Sequence, residues 1–246
     1  MHAAAIPGLP EVRPGDDLAA LLAERVSLRD GDVLVVAHKV VSKAEGRIVA
    51  LQGVRPSERA LELAELHGKD PRHVQVVLDE SAEVLRATRG VLICRTHHGF
   101  VCANAGVDAS NVADEETVVL LPTDPDGSAR SLRAALRAGA DDARIAVVIT
   151  DSFGRAWRHG QADVAIGIAG LAPLEDWRGR ADAAGLELRA TWIAVADEAA
   201  ATADLVRAKD SREPAVILRG LERHVTEEDG PGAAALVRPV DEDLFR

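Results

Sequence analysis

The chain has no tyrosine, and only three phenylalanines and three tryptophans occur among its 246 residues. Binders of single-stranded nucleic acid stack bases on aromatic side chains, so this scarcity removes their platform. Cysteine is equally sparse. Cys94 and Cys102 are too few for a disulfide scaffold and lack the paired spacing of a zinc ribbon, so they read as packed thiols in a reducing cytoplasm. A long apolar run is missing too. The longest, near residues 164–174, falls well short of the roughly 20 residues a bilayer crossing needs, and MHAAAIPGLP has no basic region ahead of an apolar stretch. A soluble, cytoplasmic protein is expected. Nor is positive charge in excess: 40 acidic against 29 basic residues give a formal charge of −11, which repels nucleic-acid backbones and anionic membranes. Any anionic ligand must be small and held in a focused site. The phosphate-cradling loops G-x-x-x-x-G-K-[ST] and G-x-G-x-x-G are absent, and so are G-x-S-x-G and H-E-x-x-H. A nucleotide would be bound unconventionally, and hydrolase readings lose their support.

What is present is globular: 47% apolar and 28% charged residues, in a length that suits one large domain or two entwined ones. Residues 16–26 carry Leu18, Leu21, Leu22 and Val26 at helical spacing, and residues 57–67 predict a surface helix ending near Gly68. Compact apolar runs at 33–37, 74–78, 91–95, 100–103, 117–121, 145–150, 188–196 and 215–219 predict strands. Helices are expected at 128–138, with Arg130, Arg133 and Arg137 on a shared polar face, and at 197–209. Strands mixed with helices without a regular βαβ period point to an α+β fold.

Three polar segments interrupt this pattern. In the first, Ser42, Lys43, Glu45 and Arg47 follow a buried strand, where loops commonly meet ligands; a solvated turn with a surface ion pair fits the same residues. The second runs from Arg95 through His97 and His98 to Asn104, Asp108 and Asn111. Adjacent histidines in an extended segment point to opposite faces, so at most one would belong to a metal site, whereas the Asp108 carboxylate suits a hard cation. Each histidine also fits a satisfied imidazole. In the third, a strand ending in Asp151 and Ser152 presents the oxygen chemistry that magnesium or manganese prefers, and Arg155 and Arg158 could clamp anionic oxygens. An aspartate capping the next turn, with its arginines in ion pairs, is the structural alternative. Asp197 and Glu198 suit the start of a helix.

Together, GLPE at residues 8–11, HKVVSKAEGR at 38–47, RTHHGFVCANAGVDASN at 95–111, DSFGRAWRHGQADVAIGIAG at 151–170 and AVADEAAATADLV at 194–206 resemble the coenzyme F420-0:L-glutamate ligase family over nearly the whole chain. The closing RPVDEDLFR resembles the junction in the actinobacterial two-domain form, where a nitroreductase-like flavin domain follows. The resemblance implies a ligase domain over residues 1–246 without that second domain. It also implies an α+β fold of mixed β-sheets with flanking helices in two subdomains, and an intertwined homodimer.

The same resemblance implies GTP-dependent addition of L-glutamate to coenzyme F420-0, and of further γ-linked glutamates, through an acyl phosphate. GTP is the co-substrate, two magnesium or manganese ions assist, and a potassium ion contributes. Gly8, Leu9, Pro10, Glu11, His38, Lys43, Asn111 and Lys209 fall on nucleotide positions. Asp108 and Asp151 fall on ligands of one metal and Ser152 on the other. Lys43, Asp108 and Asp151 serve the phosphoryl transfer, and Arg155, Trp157 and Arg158 are candidates for binding the phosphorylated deazaflavin. Arg207-Ala208-Lys209 stands where the family usually reads Met-Gly-Lys or Met-Gly-Gln. Two rival readings remain: a related ligase for another acceptor or amino acid, and a nucleotide- and metal-binding module that docks a flavin reductase without turnover of its own.

Overall fold

The structure, a computed structural model, describes residues 1–109, 116–208 and 210–243. The chain forms β1 (His2–Ala5), α1 (Leu18–Ala23), β2 (Val33–Ala37), α2 (His38–Ala44), β3 (Ile48–Ala50), α3 (Glu58–His67), α4 (Pro71–Asp79), β4 (Ser81–Thr88), β5 (Val91–Thr96) and β6 (Val101–Ala103). It continues through β7 (Thr117–Val119), α5 (Pro125–Ala138), β8 (Ala146–Arg155), β9 (Arg158–Ala169), β10 (Glu175–Asp176), β11 (Trp192–Ile193), α6 (Val195–Val206) and β12 (Ala215–Arg219).

Five strands make the main sheet, in the order β1-β12-β2-β8-β9, with β2 and β8 parallel and the other pairs antiparallel. Its inner strands are continuous apolar runs because both faces are covered. Leu34, Val36, Val147 and Ile149 pack with Leu22, Leu132 and Leu136 from α1 and α5. Their neighbours Val33, Val35, Ala146 and Val148 face Ala196, Ala199 and Ala203 of α6, whose small side chains let the helix lie close to the sheet. A third apolar cluster joins Leu63, Val74 and Val77 of α3 and α4 to Leu92, Cys94 and Val118 on the β4-β5-β6 and β3-β7 sheets. The α+β expectation with mixed sheets holds. Among the described residues, no helix is long and apolar enough to cross a membrane.

Several local expectations are corrected. Residues 38–44 form a helix rather than a loop, and 74–78 lie inside α4 rather than in a strand. In α4 the Asp70 side chain accepts from Arg72 N and Pro71 supplies the preset φ of a first helical residue, and this start signal overrides the β-branched valines. Within 188–196 only Trp192–Ile193 is a strand. Arg133 does not share an exposed face with Arg130; it is 3% exposed, on the buried face of α5. The largest change concerns β8, which continues past Asp151 and Ser152 to Arg155. Its pairing with β2 ends at Ala37 and Thr150, so beyond that point β8 and β9 extend as a two-stranded ribbon.

His73 on α4 and His224 after β12 are both held below the usual imidazole value of 6.5. Burial is the larger cause for each, followed by the nearby charge of Lys69 and of Arg223, with Asp70 and Asp108, and Glu175 and Glu198, pulling weakly the other way. The unfolded chain therefore binds protons here more readily. The stability these sites contribute is present above pH 6.5 and is lost as pH falls through their folded-state values. Thermal unfolding should show Tm dropping on acidification from about pH 7.5 to about pH 5.5. The pair His73→Gln and His224→Gln should flatten that drop, and an unchanged slope in the double variant would refute the assignment.

Candidate functional site

Parallel pairing of β2 with β8 brings their carboxyl ends side by side, with Ala37 opposite Thr150. The next residue along each strand carries chemistry. His38, the first residue of α2 and 2% exposed, places Nε2 3.3 Å from Asp151 Oδ1, while its Nδ1 lies 3.4 Å from Ser42 Oγ. The geometry at Nε2 falls short of a hydrogen bond, so among the described residues this buried nitrogen has none. One residue on, Lys39 Nζ reaches Asp108 Oδ2 at 2.7 Å. Asp108 is fixed by a two-way backbone bridge to Val119, each N–H donating to the other's carbonyl at 2.9 Å. The approach to it is strained, since Asn104 and Ala105 hold φ of 51° and 52° without being glycine. Two carboxylates from distant segments thus meet the first turn of α2.

The segment at residues 8–11 reaches the same helix. Lys43 Nζ pairs with Glu11 Oε1 at 2.5 Å, Gly15 N donates to Ala44 O at 2.8 Å, and the Gly8 carbonyl accepts from Arg25 Nε at 2.7 Å. Leu9 packs against the core cluster of α1, while Pro10 and Glu11 line a concavity of about 540 Å³ with Arg13, Asp16, Asp17, Ala20 and Leu21. Of the remaining members of the first polar segment, Glu45 accepts from Ser128 Oγ and Arg47 pairs with Glu80. Arg47 thus carries the structural ion-pair role, and Glu45 a hydrogen bond to a hydroxyl.

Asp151 and Ser152 do not present themselves together at a strand end. Both sit within β8, so their side chains leave opposite faces: Asp151 toward His38, Ser152 toward Asp163 on β9. Ser152 N donates to Asp151 Oδ1 at 2.8 Å. Arg155, Trp157 and Arg158 surround the turn of the ribbon, all exposed; Trp157 is 84% exposed with φ of 63°. Arg155 lies four positions beyond Asp151 along the strand, about 13 Å at roughly 3.3 Å per residue. Arg155 Nη2 donates to the His159 carbonyl across the turn.

Asn111 and Lys209 lie outside the described residues. Of the two histidines of the second segment, His97 Nε2 meets the Asp79 carbonyl and His98 Nε2 those of Pro122 and Thr123, while His98 Nδ1 is buried without a hydrogen bond among the described residues. Cys94 and Cys102 are buried and face each other across β5 and β6. The Cys102 thiol is pushed up to about 12 by burial, with the charge of Asp151 and its neighbour Cys94 adding to it, which excludes a thiolate nucleophile near neutral pH.

Sequence reasoning missed Lys39 and Asp163. Lys39 stands in a motif already singled out, but its partner is far along the chain. Asp163 gave a readable signal, a single acid heading the run VAIGIAG, once β9 is known to be a buried strand.

Among the described residues, no three His, Cys, Asp or Glu side chains gather as a ready-made metal cage. The donors still fit a hard divalent ion, because magnesium is commonly held by one or two carboxylates, with phosphate oxygens and water completing its shell. The orphaned Nε2 of His38 against Asp151 shows a polar centre that protein atoms alone leave incomplete.

Comparison with known proteins gives a consistent result. Residues 8–220 match the model of a family described as F420-0:Gamma-glutamyl ligase. A protein of Methanothermobacter thermautotrophicus described as coenzyme F420:L-glutamate ligase is 44% identical over 247 residues, covering 98% of this chain and 97% of that one. Proteins with the same description from Methanopyrus kandleri and Halobacterium salinarum are 48% and 47% identical, covering 96% and 100% of this chain and 94% and 96% of theirs.

Proposed function

Because the chain belongs to the F420-0:gamma-glutamyl ligase family, we propose that it is an amide-forming ligase that joins L-glutamate to coenzyme F420-0 with cleavage of GTP, and that it extends the product with further γ-linked glutamates. The observation that carries this reading is the meeting of Asp108 and Asp151 at His38 and Lys39, beside the Lys43–Glu11 contact. A carboxylate is a poor acyl donor until one oxygen becomes a leaving group. The terminal carboxylate of the precursor attacks the γ-phosphorus of GTP; a carboxyl O–P bond forms, the bond to the β-phosphate oxygen breaks, and GDP departs. The unprotonated amine of glutamate then attacks the acyl carbon, phosphate leaves, and the nitrogen gives up its proton.

This chemistry asks the protein for positioning and charge balance more than for covalent participation. Residues 8–11, His38, Lys43, Asn111 and Lys209 hold the nucleotide, and the Lys43 ammonium offsets charge on the transferring phosphoryl group. Asp108 and Asp151 would hold one magnesium or manganese ion and Ser152 a second, with potassium assisting, and these ions would supply further neutralisation of phosphate oxygens. Ser152 N, donating to Asp151 Oδ1, fixes the direction of that carboxylate, and His38 is buried against it. Arg155, Trp157 and Arg158 bind the phosphorylated deazaflavin, and the exposed ribbon that carries them suits an intertwined homodimer.

The test is a mass-resolved assay with coenzyme F420-0, L-glutamate, GTP, Mn²⁺ and K⁺, with ATP and metal-free controls. A gain of one or more glutamyl units matched by GDP release is expected. In the same assay Arg158→Ala should raise KM for the deazaflavin while leaving kcat nearly unchanged; an unchanged KM removes the ribbon from substrate binding. GTP bound without any glutamyl product overturns the ligase reading in favour of a docking module.

A further inference from the structure

On the face of β8 turned away from Asp151 lies a buried carboxylate that the proposed chemistry does not use. Asp163 is 1% exposed, directly opposite Ser152 in the β8–β9 register and diagonal to Thr150, which pairs with Ala165 after a β-bulge. Thr150 and Ser152 are two apart on one strand face, so both hydroxyls reach the same carboxylate. Ser152 Oγ donates to Asp163 Oδ1 at 2.6 Å and Thr150 Oγ1 donates to Oδ2 at 2.8 Å. Arg207, just past α6, joins the group: its Nη2 pairs directly with Asp163 Oδ2 and donates to Thr150 Oγ1 at 2.8 Å, and its Nη1 donates to the Pro214 carbonyl at 3.1 Å.

Counting protons gives this network a direction. A serine hydroxyl has one proton and two lone pairs. With the Ser152 proton committed to Asp163, the oxygen offers only lone pairs elsewhere, which is the form a cation accepts and a hydrogen-bond acceptor does not. The carboxylate has no proton to return, and the Arg207 guanidinium, which donates and never accepts, anchors its second oxygen. We propose that Asp163 is a positioning residue: it holds the Ser152 hydroxyl with its lone pairs turned toward a divalent cation, and Arg207 holds Asp163 in place. The proposal rests on the metal role given to Ser152 above. Outer carboxylates that orient a ligating group typically govern metal affinity by about 10–100-fold.

The experiment measures Mn²⁺ affinity in the presence of GDP by electron paramagnetic resonance of the free ion, so that it does not depend on ligation. Asp163→Asn keeps the shape but offers one acceptor oxygen and an N–H₂ donor, which sets a donor against one of the hydroxyls. Its Mn²⁺ Kd should rise about 10–100-fold, and Ser152→Ala should weaken the same site. The double variant Ser152→Ala/Asp163→Asn should be no weaker than Ser152→Ala alone, because Asp163 acts through that hydroxyl. If Asp163→Asn leaves Arg207 too poorly balanced to fold, Asp163→Asn/Arg207→Met removes both charges and the same comparison is made with and without Ser152→Ala. A Kd unchanged by Asp163→Asn, a shift that persists undiminished in the Ser152→Ala background, or no Mn²⁺ binding by the parent protein overturns the proposal. A protein that binds Mn²⁺ as described yet forms no glutamyl product would sink the ligase reading and leave this one standing.

Discussion

Asp151→Asn should lower glutamate ligation by about 100- to 1000-fold and leave the unfolding temperature close to that of the parent. The substitution removes charge and little else. Asn retains an Oδ1 to accept from Ser152 N, the contact at 2.8 Å that ties the side chain to its own strand. The fold does not lean on this carboxylate, because β8 is held at this level by its ladder to β9 and, one residue earlier, by its ladder to β2. What disappears is the negative partner of His38 and one of the two carboxylates at the first turn of α2. The mass-resolved assay reads the first effect and thermal unfolding the second. Near-parental turnover restored by added Mn²⁺ would remove Asp151 from the proposed metal site.

Arg133→Met should destabilise the fold by about 3–5 kcal/mol, a Tm loss of roughly 10 °C for a chain of this size. Arg133 Nε donates to the Ile145 carbonyl at 2.8 Å, Nη1 to Asp229 Oδ1 at 2.7 Å, and Nη2 to the carbonyls of Thr226 and Glu227 at 2.7 and 3.0 Å. One side chain thus ties α5 to the start of β8 and to the loop after β12. Methionine fills much of the volume but leaves these acceptors without their donors, and an unmade buried hydrogen bond costs more than a made one contributes. Gly170 belongs to the same arrangement: its φ is 75°, and a Cβ there would run into the guanidinium. Chemical denaturation checks the magnitude. A loss below about 1 kcal/mol would show that water replaces the guanidinium without penalty.

Where local and long-range demands agree, the sequence was readable. Ser57 caps α3, Gly68 closes it in the left-handed conformation, and the expected helix at 57–67 matches Glu58–His67. The buried strands at 33–37 and 215–219 match β2 and β12 because apolar β-branched runs between turns have few alternatives. Reading failed where the two demands diverge. Val74, Val76 and Val77 carry strand propensity, yet Asp70 and Pro71 start a helix whose buried face they supply. In β9 the outer half is polar because the ribbon is solvated on both sides, so no alternation announced a strand. The site divides in the same way. Asp108, Asp151, His38 and Lys43 stood in legible motifs, whereas the Lys39 contact to Asp108 and the Asp163 group depend on strand register, which a motif does not contain.

The strand order has a consequence for synthesis. β1 has one sheet neighbour, β12, and β2 lies between β12 and β8, so neither amino-terminal strand has any partner until the ribosome has delivered residues far downstream. Pairings between such distant segments close late and slowly. His38 emerges early but meets Asp151 only after β8 docks, so the nascent chain carries no assembled centre that could sequester nucleotide or metal before the sheet is nearly whole.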